Sequence, residues 1–213
     1  MSGRSVSNHQ DESFASVEAA RKYAGHAQKS RLRYETFLEK LRALDIKGRY
    51  LDVGAGTGTP AVAVARDHPA AQITALELFP AMIHVGEEYV ESQGLQDRIT
   101  FVLGDATDEG TIEALGEFDL IYSTFSLHHW EAPARVIRNL LDSLTENGVL
   151  YLYDLRRVWW VYWIPVQKGF FESIRGAYVD REIRELLDGL SLKSYEVKNE
   201  PPFLLSVIIR KTE

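Results

Sequence analysis

The sequence predicts a doubly wound α/β fold, in which a largely parallel β-sheet carries helices on both faces. Short β-type runs alternate with helical runs from Arg49 onwards. Proline opens several of the helical runs, at positions that suit a first helical turn. A glycine-rich turn lies between the first β-type run and the helix after it. Alternation at this spacing implies parallel strands joined by helical crossovers.

Five runs are predicted as parallel strands: Tyr50–Val53, Ile73–Leu78, Ile99–Leu103, Leu120–Ser123 and Val149–Tyr153. The helices between them are predicted at Pro60–Asp67, Pro80–Gln93, Glu109–Leu115 and Pro133–Leu144. Val179–Leu190 is predicted as a further helix. Two last β-type runs, Lys193–Lys198 and Phe203–Arg210, are joined by a short turn and are expected to pair antiparallel.

The chain is predicted to form a single domain over residues 14–213. Within it, residues 14–47 are expected to form an N-terminal helical cap. Phe14–Lys29 is rich in helix formers, and Arg31–Leu44 carries a helical apolar stripe. Residues 1–13 are polar, with no apolar run behind a basic start, so we expect a disordered leader rather than a signal peptide.

The composition narrows the class of function. The chain has 213 residues and a formal net charge of −7, which disfavours nucleic acid as a partner because phosphate repels an acidic protein. Cysteine is absent, which excludes disulfides, thiolate metal sites and cysteine nucleophiles. No stretch reaches the roughly 18–20 apolar residues that span a bilayer, and no carboxylate cluster suited to a metal stands out. We expect a cytoplasmic protein.

The sharpest local signal is the segment from Asp52 to Gly58, which reads Asp-Val-Gly-Ala-Gly-Thr-Gly. Glycine lets the backbone turn sharply and approach a ligand, and open α/β sheets bind ligands at the carboxyl ends of their strands. A dinucleotide site would need glycine at Thr59, and the Asp52 carboxylate suits a cationic ligand better than a pyrophosphate. S-adenosylmethionine (SAM), with its ammonium and sulfonium groups, is such a ligand. A ligand-free structural turn is the alternative.

From Gly48 to Asp154 the sequence resembles the class I SAM-dependent methyltransferases of the small-molecule type, whose acidic-x-Gly-x-Gly-x-Gly motif it matches. The resemblance implies a Rossmann-like seven-stranded sheet in the order 3-2-1-4-5-7-6. It implies that Glu77 binds the ribose hydroxyls and Asp105 the adenine amino group. Alone, Glu77 also fits a solvated strand-end charge, and Asp105 a helix N-cap. The predicted cofactor site comprises Asp52, Gly54, Ala55, Gly56, Gly58, Glu77, Leu78, Asp105, Ala106 and Ser123.

Two histidines, His128 and His129, lie in the loop after the fourth predicted strand, which resembles a Leu-His-His loop common in this group. Methyl transfer needs a general base only when the attacking atom must lose a proton, and histidine suits that role near neutral pH. Both are candidate catalytic residues, with packing beside the cofactor as the alternative. Tyr23, on helices that cover the cofactor in relatives, is a candidate substrate contact or a packing residue.

Residues 155–178 are aromatic and basic. They hold three of the four tryptophans, and four basic residues against one acid. The pattern favours a lid or pocket for an apolar or aromatic acceptor with an anionic group, lined by Arg156, Arg157, Trp159 and Trp160. A core or homodimer contact and docking on a membrane surface are the alternatives.

These observations predict methyl transfer from SAM to a small-molecule acceptor, with S-adenosylhomocysteine (SAH) as the second product. A SAM-binding regulatory or partner protein without transferase activity is the first alternative. A nicotinamide-dependent oxidoreductase is the second, disfavoured by Thr59 and by the terminal hairpin.

Overall fold

The centre of the fold is a seven-stranded sheet, in a computed structural model that describes residues 16–29, 31–163 and 170–211. The strands are Arg49–Val53 (β1), Gln72–Glu77 (β2), Ile99–Leu103 (β3), Phe118–Thr124 (β4), Leu144–Leu155 (β5), Tyr195–Glu200 (β6) and Leu204–Arg210 (β7). Their order is β3-β2-β1-β4-β5-β7-β6. The first five are parallel, and β7 pairs antiparallel with both β5 and β6. The predicted fold class and terminal hairpin are therefore confirmed.

Helices cover both faces of the sheet. They are Val17–Lys29 (α1), Glu35–Leu44 (α2), Thr59–Asp67 (α3), Pro80–Ser92 (α4), Glu109–Leu115 (α5), Pro133–Asp142 (α6), Phe170–Gly176 (α7) and Asp180–Gly189 (α8). Short 3-10 helices lie at Arg31–Tyr34, Leu127–His129 and Trp159–Trp163. Proline opens α3, α4 and α6 in the first turn, as predicted. No helix among the described residues is both long and apolar enough to cross a membrane.

Most predicted elements differ from the structure by one or two residues at an end, and two of them include residues that belong to another element. The helix predicted to reach Leu144 ends at Asp142, and Leu144 instead begins β5 by pairing with Phe118 of β4. The leucine is fully buried as the first strand residue, which apolar periodicity alone does not distinguish from a last helical turn. The helix predicted over Arg31–Leu44 is divided into a 3-10 turn and α2, and the buried ring of Tyr34 at the junction packs edge-on against Phe125. The predicted leader, residues 1–13, lies outside the described residues.

A row of tyrosines lines the face of the sheet beneath α2. Tyr50 of β1, Tyr122 of β4 and Tyr151 and Tyr153 of β5 are all buried on this face. The ring of Phe37 from α2 packs among them, with its centroid 5.1 Å from that of Tyr151. This aromatic core fixes part of the predicted N-terminal cap on the sheet, close to the carboxyl ends of β1 and β4.

Helix α1 packs against α4 rather than against the row of tyrosines. Its small residues Ala20 and Ala24 are buried against Met82 and Val85 of α4. Since α4 begins at the carboxyl end of β2, this contact places α1 above the same edge of the sheet as the glycine-rich loop. The opposite face of the sheet is covered by α5, α6 and α8, which share a second apolar core.

Candidate cofactor and acceptor site

The glycine-rich loop leaves β1 with three residues in the left-handed region. Gly54, Gly56 and Gly58 have φ values of 71°, 56° and 74°. The N–H groups of Gly54 and Ala55 donate to the carbonyl of Leu76 on β2, which ties the loop to the neighbouring strand. A Cβ atom built on Gly54 would lie 2.3 Å from Oγ of Ser126, so glycine is required there for space as well as for conformation.

The Glu77 carboxyl group lies between this loop and the start of α4. It is 6% exposed, and its two oxygens accept hydrogen bonds from the N–H of Gly56 (2.8 Å) and of Phe79 (3.1 Å). Burial raises the pKa of Glu77, and the backbone N–H groups partly offset that rise. The alternative interpretation of Glu77 as a solvated strand-end charge is therefore wrong.

Asp52 differs from Glu77 because its carboxyl group accepts no backbone hydrogen bond among the described residues. Its side chain is fully buried, and neither oxygen meets a donor among the described residues, although the Tyr122 hydroxyl lies near enough to lower its pKa. Burial outweighs that contact and raises the pKa of Asp52 to about 8. The group faces the tyrosine row and holds its proton near neutral pH, so the predicted attraction between an Asp52 carboxylate and a cationic ligand is opposed by burial.

The remaining predicted cofactor residues lie along the same edge of the sheet. Asp105 is exposed, and its carboxylate accepts from the N–H of Thr107 (2.8 Å). The N-cap of α5 is Asp108, which accepts from Thr111 (3.2 Å), so the N-cap alternative for Asp105 is wrong. Ser123 is buried, and its hydroxyl donates to the carbonyl of Val53 (2.8 Å), which joins β4 to β1. Leu78 is exposed and Ala106 half-buried.

Helix α1 and the loop after β4 form the walls around this edge. A Cβ on Gly56 would lie 3.8 Å from Cε1 of Tyr23, so only a narrow gap separates the loop from α1. Beside it, the Arg33 guanidinium lies 4.9 Å above the ring of Phe125. A cradle is formed by the left-handed glycines, the buried Glu77 carboxyl group and the rings of Tyr23 and Phe125. This cradle fits a nucleoside that carries a ribose.

The predicted catalytic loop holds a buried contact between a histidine and an aspartate side chain. Nδ1 of His128 lies 2.6 Å from Oδ1 of Asp154, and both side chains are almost fully buried. The His129 ring lies against His128, with centroids 3.7 Å apart. Ser126 joins this loop to the glycine-rich loop by donating to the carbonyl of Gly54 (3.2 Å).

The described part of the aromatic and basic segment contains both exposed and buried side chains. Trp159 and Trp163 are 76% and 81% exposed, whereas Val161 between them is buried. A cleft of about 330 Å³ contains all four predicted acceptor contacts, Arg156, Arg157, Trp159 and Trp160, and is completed by Val158, Val179 and Pro202. Arg157 is engaged within the fold, since it forms an ion pair with Glu182 and donates to the carbonyl of Ala177 (2.9 Å).

Residues 51–150 match the sequence profile of a family described as a methyltransferase domain. A demethylmenaquinone methyltransferase from Porphyromonas gingivalis is 31% identical over 108 residues, which are 50% of this chain and 43% of that enzyme. A solved structure described as a putative SAM-dependent methyltransferase from Methanococcus maripaludis superposes with a TM-score of 0.73, at 22% identity, over 100% of this chain and 98% of that one.

The chain carries a class I SAM-dependent methyltransferase domain. SAM is the cofactor of this family, so the predicted family, fold and cofactor are confirmed. The [4+2]-cyclase SpnF also superposes, with a TM-score of 0.64 and 21% identity over 85% of this chain and 81% of that one. The methyltransferase fold therefore also occurs in a protein described as a cyclase. The chain spans less than half the length of the demethylmenaquinone methyltransferase.

The sequence did not predict two residues that the structure brings to this edge of the sheet. Asp154 is the single acid in an otherwise apolar final run of β5, Val149–Leu155, and that interruption was the available signal. Ser126 gave no signal, because its contact with Gly54 joins residues 72 positions apart.

Proposed function

We propose that this protein transfers a methyl group from SAM to a small-molecule acceptor. The observation that carries the proposal is the Glu77 carboxyl group, buried at the end of β2 and held against Gly56 of the glycine-rich loop. A carboxylate there accepts hydrogen bonds from two neighbouring ribose hydroxyls. When bound, SAM supplies an electrophilic methyl group on a sulfonium centre.

The chain's own residues have separate tasks in this proposal. Glu77 and the loop from Gly54 to Gly58 hold the nucleoside, with Asp105, Leu78 and Ala106 beside the adenine. Tyr23 of α1 covers the loop and shields the methyl group from water. Most of the acceleration then comes from holding the acceptor in line with the methyl group, since positioning alone supplies a large effective concentration.

The acceptor proposal remains an apolar or aromatic small molecule with an anionic group. The cleft beside Trp159 and Trp160 supports it, because flat indole walls suit an apolar body. Between the two arginines that line this cleft, Arg156 is the better anion contact, since Arg157 is already paired with Glu182. Neutralising Arg156 is expected to raise the acceptor KM and leave SAH affinity unchanged.

The test of cofactor binding is calorimetric titration of the full chain with SAH. We expect one site per chain with a micromolar or lower Kd. Glu77→Ala removes the ribose acceptor and should weaken binding by about 1.5–3 kcal/mol, the usual range for a hydrogen bond to a charged group. Glu87→Ala, which removes an exposed glutamate from α4, is the matched control. Unchanged SAH affinity in a folded Glu77→Ala variant would remove Glu77 from the site.

Turnover needs its own measurement, because a protein of this fold is described as a cyclase. SAH release from SAM is measured with a set of apolar and aromatic acids as acceptors. Release that depends on an acceptor supports the transferase. Tight SAH binding with no release for any acceptor would favour a SAM-binding protein without transferase activity.

A further inference from the structure

The 3-10 turn Trp159–Trp163 exposes its largest apolar side chains. Trp163, Trp159 and Tyr162 are 81%, 76% and 44% exposed. They are three of the seven large apolar side chains that the described residues expose, and the two tryptophans are the most exposed of the seven. Single exposed apolar side chains are ordinary on a protein surface, whereas three in one turn form a patch of the kind that marks an interaction site.

The turn is attached to the fold by its smaller residues. Val158 and Val161 are buried in a small apolar cluster with Ile174 of α7. A 3-10 helix has three residues per turn, so side chains three positions apart share a face. The two valines therefore occupy the inner face, while Trp159 and Tyr162 share a face that is open to solvent. The outer face thus carries aromatic rings where a surface turn normally carries polar side chains.

Positive charge lies beside this aromatic patch. Residues 155–178 hold four basic residues against one acid, although the whole chain has a net charge of −7. The Arg175 guanidinium lies 5.9 Å from the centre of the Tyr162 ring. Arg156 lies beside Trp159 in the cleft of about 330 Å³. Guanidinium groups next to exposed rings match a surface with phosphate groups outside and hydrocarbon beneath.

We infer that residues 159–163 dock on the surface of an anionic lipid bilayer. The three exposed rings enter the interfacial layer, and Arg156 and Arg175 lie near the lipid phosphates. Tryptophan and tyrosine favour this layer because the ring leaves water while its N–H or O–H group still finds a hydrogen-bond partner. Basic side chains add attraction to anionic lipids. A turn of five residues is too short to span a bilayer, so the contact is peripheral.

A second copy of the chain is the other occupant that would cover the patch. In a twofold contact the same patch lies on both sides of the interface. The arginines of one chain would then face those of the other, which opposes the contact. An anionic lipid surface has no such conflict, and charge complementarity therefore favours it.

The docking also brings the acceptor cleft to the lipid surface, because Trp159 belongs to both the cleft and the patch. An acceptor with an apolar body and an anionic group, as proposed above, collects at the same surface. This consequence rests on the proposed function, whereas the docking itself does not.

Co-sedimentation of the full chain with vesicles tests the docking. Binding to an equal mixture of phosphatidylcholine and phosphatidylglycerol is expected to be at least fivefold tighter than binding to phosphatidylcholine alone, since one basic residue near an anionic surface contributes about 1 kcal/mol, or about fivefold. The double variant Trp159→Ser, Trp163→Ser should bind the mixed vesicles at least tenfold more weakly. Leu103→Ser removes a 57% exposed apolar side chain from the end of β3 and is the matched control. Trp163→Ser alone takes the same test if the double variant does not fold.

Fluorescence locates the contact on the molecule. Bromine atoms on the acyl chains of phosphatidylcholine quench only those indoles that enter the lipid. With brominated lipid in the mixed vesicles, the emission of the wild-type protein should fall. The emission of the double variant, which retains Trp130 and Trp160, should not change.

The outcomes separate the lipid surface from the other readings. Equal binding of wild type and double variant, equal binding to neutral and mixed vesicles, or no binding to either overturns the inference. A wild-type dimer that the double variant converts to a monomer, without vesicle binding, assigns the patch to a second copy and also overturns it. The proposed function is tested separately, because SAH titration uses neither vesicles nor an acceptor.

Discussion

Burial and charge conflict at Asp52. The carboxyl group is fully buried beside Tyr122 and lacks a hydrogen-bond partner among the described residues. Isolated buried charge is costly, so the group keeps its proton in the folded protein. Glu77, one strand away, avoids this outcome in part because backbone N–H groups surround it. These two acids on neighbouring strands therefore differ in the hydrogen bonds that offset their burial.

This difference predicts how stability depends on pH. The unfolded chain releases the Asp52 proton near the ordinary value of 3.8, whereas the folded protein holds it until about pH 8. Between these values unfolding releases a proton, so the free energy of unfolding falls as pH rises from about 4 to about 8. Asp52→Asn removes this loss and should stabilise the protein without SAM by an amount that grows with pH to about 4 kcal/mol by pH 7.

Urea unfolding at pH 4.5, 6 and 7.5 measures the effect, with the exposed Asp97→Asn as control. The difference between Asp52→Asn and wild type should widen with pH. A difference that stays constant across the three pH values would show that Asp52 is ionised in the folded protein.

At the scale of elements, hydrogen bonds connect the strand ends and loops that form the candidate site. The loop after β1 is joined to β2 through Leu76, and to the loop after β4 through Ser126. The carbonyl of Val53 receives the hydroxyl of Ser123 at the same junction. These contacts fix the cofactor loop and the histidine loop relative to each other, although their sequences are about 70 residues apart.

Two glycines of similar conformation allow the effect of backbone strain to be distinguished from the effect of a steric clash. Gly54 and Gly94 have φ values of 71° and 67°, but a Cβ on Gly54 would lie 2.3 Å from Ser126, whereas a Cβ on Gly94 meets nothing within 4 Å. Both alanine variants should lose about 1–2 kcal/mol of stability, the usual cost of a left-handed residue with a side chain. Only Gly54→Ala should also lose SAH affinity, by tenfold or more, because the loop after β4 must move.

Thermal unfolding and SAH calorimetry on both variants measure these effects. Equal SAH affinity in the two variants would show that the contact between Gly54 and Ser126 does not matter for the cofactor loop.

At the scale of the whole molecule, cofactor binding should stabilise the fold as a unit. The cradle takes contributions from α1, β1, β2 and the loop after β4, so SAH is expected to contact several elements that separate on unfolding. At about a hundredfold excess over Kd, binding to the folded state alone adds about 2.7 kcal/mol, which corresponds to a rise in Tm of about 5–10 °C for a chain of this size. NADH at the same concentration should leave Tm unchanged, and a shift with NADH but none with SAH would favour the oxidoreductase alternative.

The sequence by itself determined the order of elements and the cofactor family. Proline in first helical turns, apolar runs and the glycine-rich motif are local features, and each acts through neighbouring residues along the chain. The bounds of β3 and α5 were predicted without error for this reason. Local signals were weaker at Leu144, where an apolar residue suits a last helical turn or a first strand position equally.

The tertiary structure decided which polar side chains are buried and what they contact. Burial of Asp52, the pairing of His128 with Asp154 and the contact between Ser126 and Gly54 join residues on different strands. Protonation and hydrogen bonding depend on the local dielectric environment and on distances of a few ångströms. Both are set by the packing of the sheet and its helices, which spacing along the chain does not encode.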